Sequence, residues 1–148
     1  MLCPITFSIP SEKISETKMF KTKILSSLIP GKTSTYIYET EEDYYNEYKK
    51  SYFAITTKKA GWDCMRHYEI LANGCIPLFT DIDDCPENIM TMLPKDLLKE
   101  GKQLYTRMNT VTNIEDLSPE IREECNQLIL KLLDHTRMYL TTQKMAQH

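Results

Sequence analysis

The amino-acid sequence predicts an α/β protein, in which a parallel sheet is flanked by helices. Short β-branched and aromatic runs alternate along the chain with segments of helical periodicity, which is typical of α/β layers. One stretch, 51–81, contains in order a strand, a polar turn, a helix ended by glycine and another strand, which is the order of a β-α-β unit. A length of 148 residues suits one domain over 1–148 with a core of its own.

The N-terminal part is predicted to alternate between strands and helices. Ile5–Ile9 and Thr33–Tyr38 are short runs rich in β-branched and aromatic residues, so we expect strands there. Between them, Ser11–Ile29 combines lysines with spaced apolar residues, which suggests a helix that a proline-glycine pair ends. Thr40 stands at the position of a helix cap, which predicts a short, tyrosine-rich helix over Glu41–Lys50.

The central unit is predicted to be strand, helix and strand. Tyr52–Thr57 is aromatic and β-branched, as expected of a buried strand. Asp63 is the expected N-cap of a helix over Cys64–Ala72. Gly74 ends this helix, because glycine tolerates the left-handed conformation found after helix C-termini. Cys75–Phe79 is then a second apolar strand.

Two longer helices are predicted after the central unit. One begins near Lys95, directly after a proline, and runs to about Met108. The other has Ser118 as its cap and Pro119 at its first position. Apolar residues at three- and four-residue steps carry this C-terminal helix from about 119 to Leu140.

Two turns of the central unit are expected to form a ligand site. Ligands of parallel sheets bind outside the carboxyl ends of the strands, beside helix N-termini. The basic turn Lys58–Asp63 follows the first strand, and the acidic turn Thr80–Asp84 follows the second. We therefore expect both turns at one edge of the sheet.

The same stretch contains an S-x-F strand, a helix bearing R-x-x-E, and a G-C-I-P strand followed by an acid. The residues of this pattern are Ser51, Phe53, Arg66, Glu69, Gly74, Cys75, Ile76, Pro77 and Asp81. The pattern resembles the donor-binding motif of exostosin-type glycosyltransferases and, more loosely, of other GT-B enzymes. The match extends over about thirty residues at consistent spacing, which is more than a lone short pattern gives.

The resemblance implies a Rossmann-like domain that forms one half of a GT-B glycosyltransferase. Such a domain binds a nucleoside diphosphate sugar, whose hexose or pentose is transferred, with inversion, to a carbohydrate or protein acceptor; no cofactor or metal is implied. The catalytic base usually comes from an N-terminal domain, for which this chain has no room. Either the chain is part of a longer enzyme, or a second chain completes it, or it does not catalyse. The alternative is a non-catalytic module that keeps the fold to bind a nucleotide or a protein.

Charged residues on the central helix and turn are the candidate donor ligands. The resemblance implies that Glu69 accepts hydrogen bonds from the ribose hydroxyls; the alternative is a solvated carboxylate or an ion pair with Arg66. Arg66, Lys58 and Lys59 are the natural diphosphate partners, because guanidinium and ammonium groups complement phosphate, although ordinary surface charge is the alternative. Asp63 presents a conflict, since as a cap it would occupy the backbone donors of the anion site.

Three further residues complete the predicted substrate-binding set. Trp62 either stacks on a base or sugar face or is an aromatic at the rim of the core. Gly74 is expected to let the chain approach a ligand closely. Asp81 is a candidate contact for sugar hydroxyls.

A zinc site is the weaker alternative. Cys64 and His67 stand in C-x-x-H spacing, with Cys75 and Cys85 further along. Structural zinc sites generally use two close pairs, and Cys75 lies in an apolar strand without a close partner, so no metal site is predicted. We expect His67 to be a core or helix-surface histidine.

Composition and charge argue against several classes of protein function. A formal net charge of −3 argues against a broad nucleic-acid or membrane-surface role. Five scattered cysteines suggest reduced thiols. No apolar run approaches the roughly 20 residues of a membrane span, and the N-terminus lacks the pattern of a signal peptide. The expectation is therefore a cytoplasmic protein.

Overall fold

A three-stranded parallel sheet lies at the centre of the computed structural model, which describes residues 7–15, 20–58, 61–108 and 111–145. The strands are β1 (Lys23–Leu25), β2 (Ser51–Thr56) and β3 (Ile76–Phe79), in the order β1-β2-β3. The helices are α1 (Glu41–Lys49), α2 (Met65–Ala72), α3 (Lys95–Met108), α4 (Pro119–Tyr139) and α5 (Thr142–Met145). The predicted α/β class with a helix-flanked parallel sheet is confirmed.

The β2-α2-β3 unit forms as predicted. Phe53 pairs with Ile76 and Thr56 with Phe79, and both strands run in the same direction. Every residue of β3 is buried, as are five of the six in β2, which fits strands covered on both faces. Gly74 follows α2 with a φ of 66°, the left-handed conformation that lets the chain leave the helix.

Two predicted elements before α1 are wrong. Ser11–Ile29 was expected to be a helix, but its described part contains a short 3₁₀ turn at Ser11–Lys13 and the strand β1. β1 forms because it pairs with β2, whose register places Lys23 beside Ser51. That partner is distant in the sequence, so the local pattern does not reveal it.

The second wrong element is the strand expected at Thr33–Tyr38. The structure has a 3₁₀ turn at Thr33–Thr35 instead. The hydroxyl of Thr35 donates to the carbonyl of Lys32 at 2.7 Å and accepts from the amide of Ile29 at 3.0 Å. Such side-chain bonds compete with strand pairing. The strand expected at Ile5–Ile9 lies partly outside the described residues, and its last residue makes a single bridge to Thr141.

Two of the three predicted helix caps, Thr40 and Ser118, are present. The hydroxyl of Thr40 accepts from the amide of Asp43 at 3.1 Å, and that of Ser118 accepts from the amide of Ile121 at 3.2 Å. Pro119 occupies the first turn of α4. These bonds satisfy backbone donors that a helix N-terminus leaves open.

The core lies between the sheet, α2, α3 and α4. A cluster of buried apolar side chains joins these elements. The buried residues of α4 are Cys125, Leu128, Ile129, Leu132, Leu133 and Thr136. α3 approaches β3 closely at Gly101, where an added Cβ would lie 2.7 Å from Cγ2 of Ile76. Within the described ranges, no helix combines the length and apolarity that crossing a membrane requires.

Candidate functional site

The two predicted turns lie together at the carboxyl edge of the sheet. The strands are parallel, so the connections that follow β1, β2 and β3 leave from the same edge. The backbone amide of Lys58 donates to both carboxylate oxygens of Asp81, at 3.3 and 3.2 Å. Asp81 therefore holds the turn after β2 against the turn after β3. Whether it also contacts a sugar stays a prediction.

The buried side chain of His67 connects α2 to the end of β2 and to the turn that follows it. Its Nε2 lies 2.8 Å from the carbonyl of Trp62, which can only accept, so this nitrogen carries the proton. Its Nδ1 then accepts from the hydroxyl of Thr56 at 2.8 Å. The imidazole is buried against Phe79, with ring centroids 4.5 Å apart, and burial lowers the pKa of His67 below its ordinary value. It is a neutral core histidine, as the sequence suggested.

The prediction of Asp63 as the helix cap is wrong. α2 begins at Met65, and the residue in the cap position is Cys64, whose side chain makes no capping bond. The carboxylate of Asp63 instead accepts from the amide of Phe7 at 3.1 Å and from the phenol of Tyr68 at 3.2 Å. It therefore ties the N-terminal segment to α2. The conflict over the backbone donors at the helix N-terminus is removed.

Arg66 lies half-buried in the first turn of α2. Its Nη1 is inaccessible to solvent and has no hydrogen-bond partner in the described part of the chain. Burial acts to lower the pKa of Arg66, but Tyr36, Cys64 and Tyr48 together outweigh burial and raise the pKa. The suggested ion pair between Arg66 and Glu69 does not form, and no other ion pair of Arg66 is found among the described residues.

Glu69 lies one turn further along α2 and faces α1. Its neighbours are the phenol of Tyr45, Arg66 and the Lys13–Glu41 ion pair. The half-buried position of Glu69 raises the pKa of its carboxyl, while the nearby phenol of Tyr45 opposes that rise. Glu69 therefore belongs to the space between α1 and α2 rather than to the solvent-exposed surface.

A cluster of tyrosines borders Arg66 and Glu69. We define the tyrosine cluster as Tyr36, Tyr44, Tyr45 and Tyr48. Tyr36 and Tyr44 stack with centroids 6.1 Å apart, and Tyr44 contacts Tyr45 at 5.6 Å and the buried Tyr48 at 5.2 Å. Sequence reasoning missed this cluster, although the i, i+4 spacing of Tyr44 and Tyr48 places both on one face of α1.

The aromatic residue of the turn after β2 packs inward. The indole of Trp62 stacks on Phe79, with centroids 6.4 Å apart and ring planes at 27°. The ammonium of Lys58 lies 5.1 Å from the Trp62 ring centroid, a cation–π distance. This geometry favours Trp62 as an aromatic at the rim of the core over a free stacking surface. Lys59 lies outside the described residues.

Gly74 lies at the other edge of the sheet. α2 runs back from the carboxyl edge to the amino edge, so its C-terminal glycine is separated from Lys58, Trp62 and Asp81. The carbonyl of Gly74 accepts from the ammonium of Lys21 at 2.7 Å. The structure therefore does not bring Gly74 together with the other predicted substrate-binding residues.

A buried carboxylate that sequence reasoning missed anchors the connection after β1. Glu47 is 0% exposed and accepts from the ammonium of Lys23 at 2.8 Å, the amide of Ser27 at 2.9 Å and the phenol of Tyr38 at 3.0 Å. Burial acts to raise the pKa of Glu47, but these bonds outweigh it and lower the pKa to about 2. Glu47 thereby fastens to α1 the segment that carries Tyr36.

The zinc alternative gains no geometric support. No group of three or more His, Cys, Asp and Glu side chains suited to a metal ion occurs in the described ranges. The four cysteines described there are free thiols. Cys64 lies 3.5 Å from Nε2 of His67, but that nitrogen donates to the carbonyl of Trp62.

Comparisons of the chain with known protein families, with curated proteins and with solved structures find no match. The fold class alone does not define an activity, because one fold hosts many functions. The function therefore depends on the chemistry of the site at the carboxyl edge.

Proposed function

We propose that the chain is the donor-binding half of an exostosin-like GT-B glycosyltransferase and binds a nucleoside diphosphate sugar at the carboxyl edge of its sheet. The observation that carries this proposal is the buried Nη1 of Arg66, which has no acceptor among the described residues. A buried donor without an acceptor costs free energy, and the cost is larger for a charged group. A phosphate oxygen would remove that cost once the side chains that cover Nη1 shift to admit it, since guanidinium and phosphate form strong charge-assisted bonds.

The positions of Arg66 and Glu69 suit two neighbouring parts of one nucleotide. The two residues lie three positions apart on α2, which is about 4.5 Å along the helix axis. In the proposed site Arg66 binds the diphosphate and Glu69 accepts from the ribose hydroxyls. Lys58 adds positive charge from the adjoining turn.

The proposal assigns donor binding and leaves the catalytic base to another part of the enzyme. His67 does not supply the base, because both of its ring nitrogens are engaged within the core. The acceptor, a carbohydrate or a protein, would be held by an N-terminal domain or a second chain. Transfer with inversion would then need that domain.

Calorimetric titration of the full chain with UDP, GDP and their sugars tests the proposal. We expect saturable binding of one nucleotide, weakened roughly 10- to 150-fold in Arg66→Gln, as for the loss of a hydrogen bond to a charged group. The matched control is Arg107→Gln, because Arg107 is an exposed arginine of α3 paired with Glu124. Circular dichroism verifies that both variants are folded.

The absence of heat with every nucleotide at millimolar concentration would overturn the proposal. Equal binding by wild type and Arg66→Gln would also contradict it, because the site would then lie elsewhere. In the first case the non-catalytic, protein-binding module becomes the leading interpretation.

A further inference from the structure

We propose that Tyr36 is the stacking platform for the nucleobase of the bound nucleotide. This inference rests on the proposed function and extends it, because neither the sequence motif nor the resemblance includes Tyr36. The chemical class of the ligand part is a planar aromatic ring that lies flat on the phenol. Tyr36 lies on the connection between β1 and α1, at the carboxyl edge of the sheet.

The ring of Tyr36 packs against the tyrosine cluster. It stacks on Tyr44 with ring planes at 28° and centroids 6.1 Å apart. Tyr44 in turn meets the ring of buried Tyr48 nearly edge-on, at 73°, and their hydroxyl oxygens lie 3.0 Å apart. An aromatic ring held in this way has little conformational freedom left to lose when a ligand binds.

Tyr36 is also exposed to solvent. Tyr36 is 36% exposed, and the next residue, Ile37, is 73% exposed. Both residues lie outside the regular helices and strands. An aromatic residue that packs against its own cluster and is also exposed to solvent offers a surface for a planar ligand.

The position of Tyr36 relative to Arg66 links this surface to the proposed diphosphate site. The phenol of Tyr36 lies close enough to the guanidinium to act on it electrostatically. The Nη1 of Arg66 is the buried donor that has no acceptor among the described residues. In the proposed site, a nucleotide with its phosphate at Arg66 would have its base beside Tyr36.

Stacking on Tyr36 would not select one nucleobase over another. Every base has a π-face, so stacking tolerates different bases and reads none of their edges. Tyr36 is therefore expected to contribute affinity to purine and pyrimidine nucleotides alike. Discrimination between bases would come from other contacts.

The test compares nucleoside diphosphates with inorganic pyrophosphate, which has the charge but no base. Dissociation constants for UDP, GDP and pyrophosphate are measured on wild type, Tyr36→Ala and Tyr36→Phe. Tyr139→Ala is the matched control, because Tyr139 is 41% exposed and lies at the end of α4. Removing a stacking ring weakens binding by roughly 5- to 150-fold.

We expect Tyr36→Ala to weaken both nucleotides by about that factor and to leave pyrophosphate unchanged. Tyr36→Phe keeps the ring and should bind the nucleotides within about twofold of wild type, since stacking needs the ring rather than the hydroxyl. Upfield shifts of the base protons in NMR spectra of the wild-type complex give a second readout that requires no variant. These shifts report a base lying over an aromatic ring.

Four outcomes would overturn the inference. Equal weakening of pyrophosphate and nucleotides in Tyr36→Ala would mean that Tyr36 acts through Arg66. Unchanged nucleotide binding, or base protons that do not shift, would mean that the base lies elsewhere while the proposed donor site stands. No binding of any of the three ligands to wild type would overturn the proposed function as well.

Discussion

Replacing the buried Glu47 by glutamine tests the electrostatic part of the structure directly. The pKa of Glu47 falls from an ordinary value of 4.5 to about 2 in the folded protein. At about 1.4 kcal/mol per pH unit, this difference corresponds to about 3 kcal/mol of folding free energy at neutral pH. Glu47→Gln removes the charge that Lys23 and Lys50 contact, at 2.8 and 3.3 Å, and should lower the free energy of unfolding by about 2 to 3 kcal/mol.

The pH dependence of this effect has a definite sign. The pKa of the carboxyl in the folded state lies below its ordinary value, so the stabilisation is complete above about pH 5 and is lost as the pH falls towards 2. Urea unfolding of wild type and Glu47→Gln at pH 7 and pH 3 measures the stability difference between the two proteins at each pH. The difference in unfolding free energy should shrink by roughly half at pH 3, because Glu47 gains protons more readily in the unfolded chain.

Glu124→Gln serves as the control for this experiment. Glu124 pairs with Arg107 on the surface, and exposed ion pairs contribute about 0 to 1 kcal/mol. A Glu47→Gln variant no less stable than this control, or a stability difference that stays constant between pH 7 and pH 3, would refute the electrostatic argument.

Two further predictions concern packing and capping. Gly101→Val should destabilise the fold by about 1 to 3 kcal/mol in urea unfolding, because even a Cβ at that position would lie 2.7 Å from the buried Ile76. The control is Glu100→Val, on the exposed side of α3, which should lower the free energy of unfolding far less. Ser118→Ala removes the acceptor for the amide of Ile121 and should cost about 1 kcal/mol of unfolding free energy, whereas Ser118→Asp, which retains an acceptor, should stay close to wild type in thermal unfolding. Unchanged stability in Gly101→Val would contradict the close approach of α3 to β3.

The candidate site shows how far residue spacing alone can be taken. The R-x-x-E spacing placed Arg66 and Glu69 one turn apart on a single helix, which is correct. It also suggested an ion pair between them, which does not form. Both residues instead border α1 and the tyrosine cluster, and that helix is separated from them by β2 in the sequence.

The sequence by itself determined the elements whose signals lie within a few residues. The caps at Thr40 and Ser118, the left-handed Gly74 and the apolar runs of β2 and β3 each follow from local hydrogen bonding or local hydrophobic pattern. Such interactions are formed between near neighbours in the chain. Their residue types therefore predict them without knowledge of the fold.

Only the tertiary structure decided the features that depend on distant partners. β1 forms because β2 provides an edge with which it can pair. Asp63 does not cap α2, because its carboxylate accepts hydrogen bonds from Phe7 and Tyr68 instead. In the sequence, Glu47 cannot be distinguished from the other acidic residues of a charged helix. Its burial and its lowered pKa arise because the segment after β1 folds over α1, and no local pattern specifies which carboxylate that segment will cover.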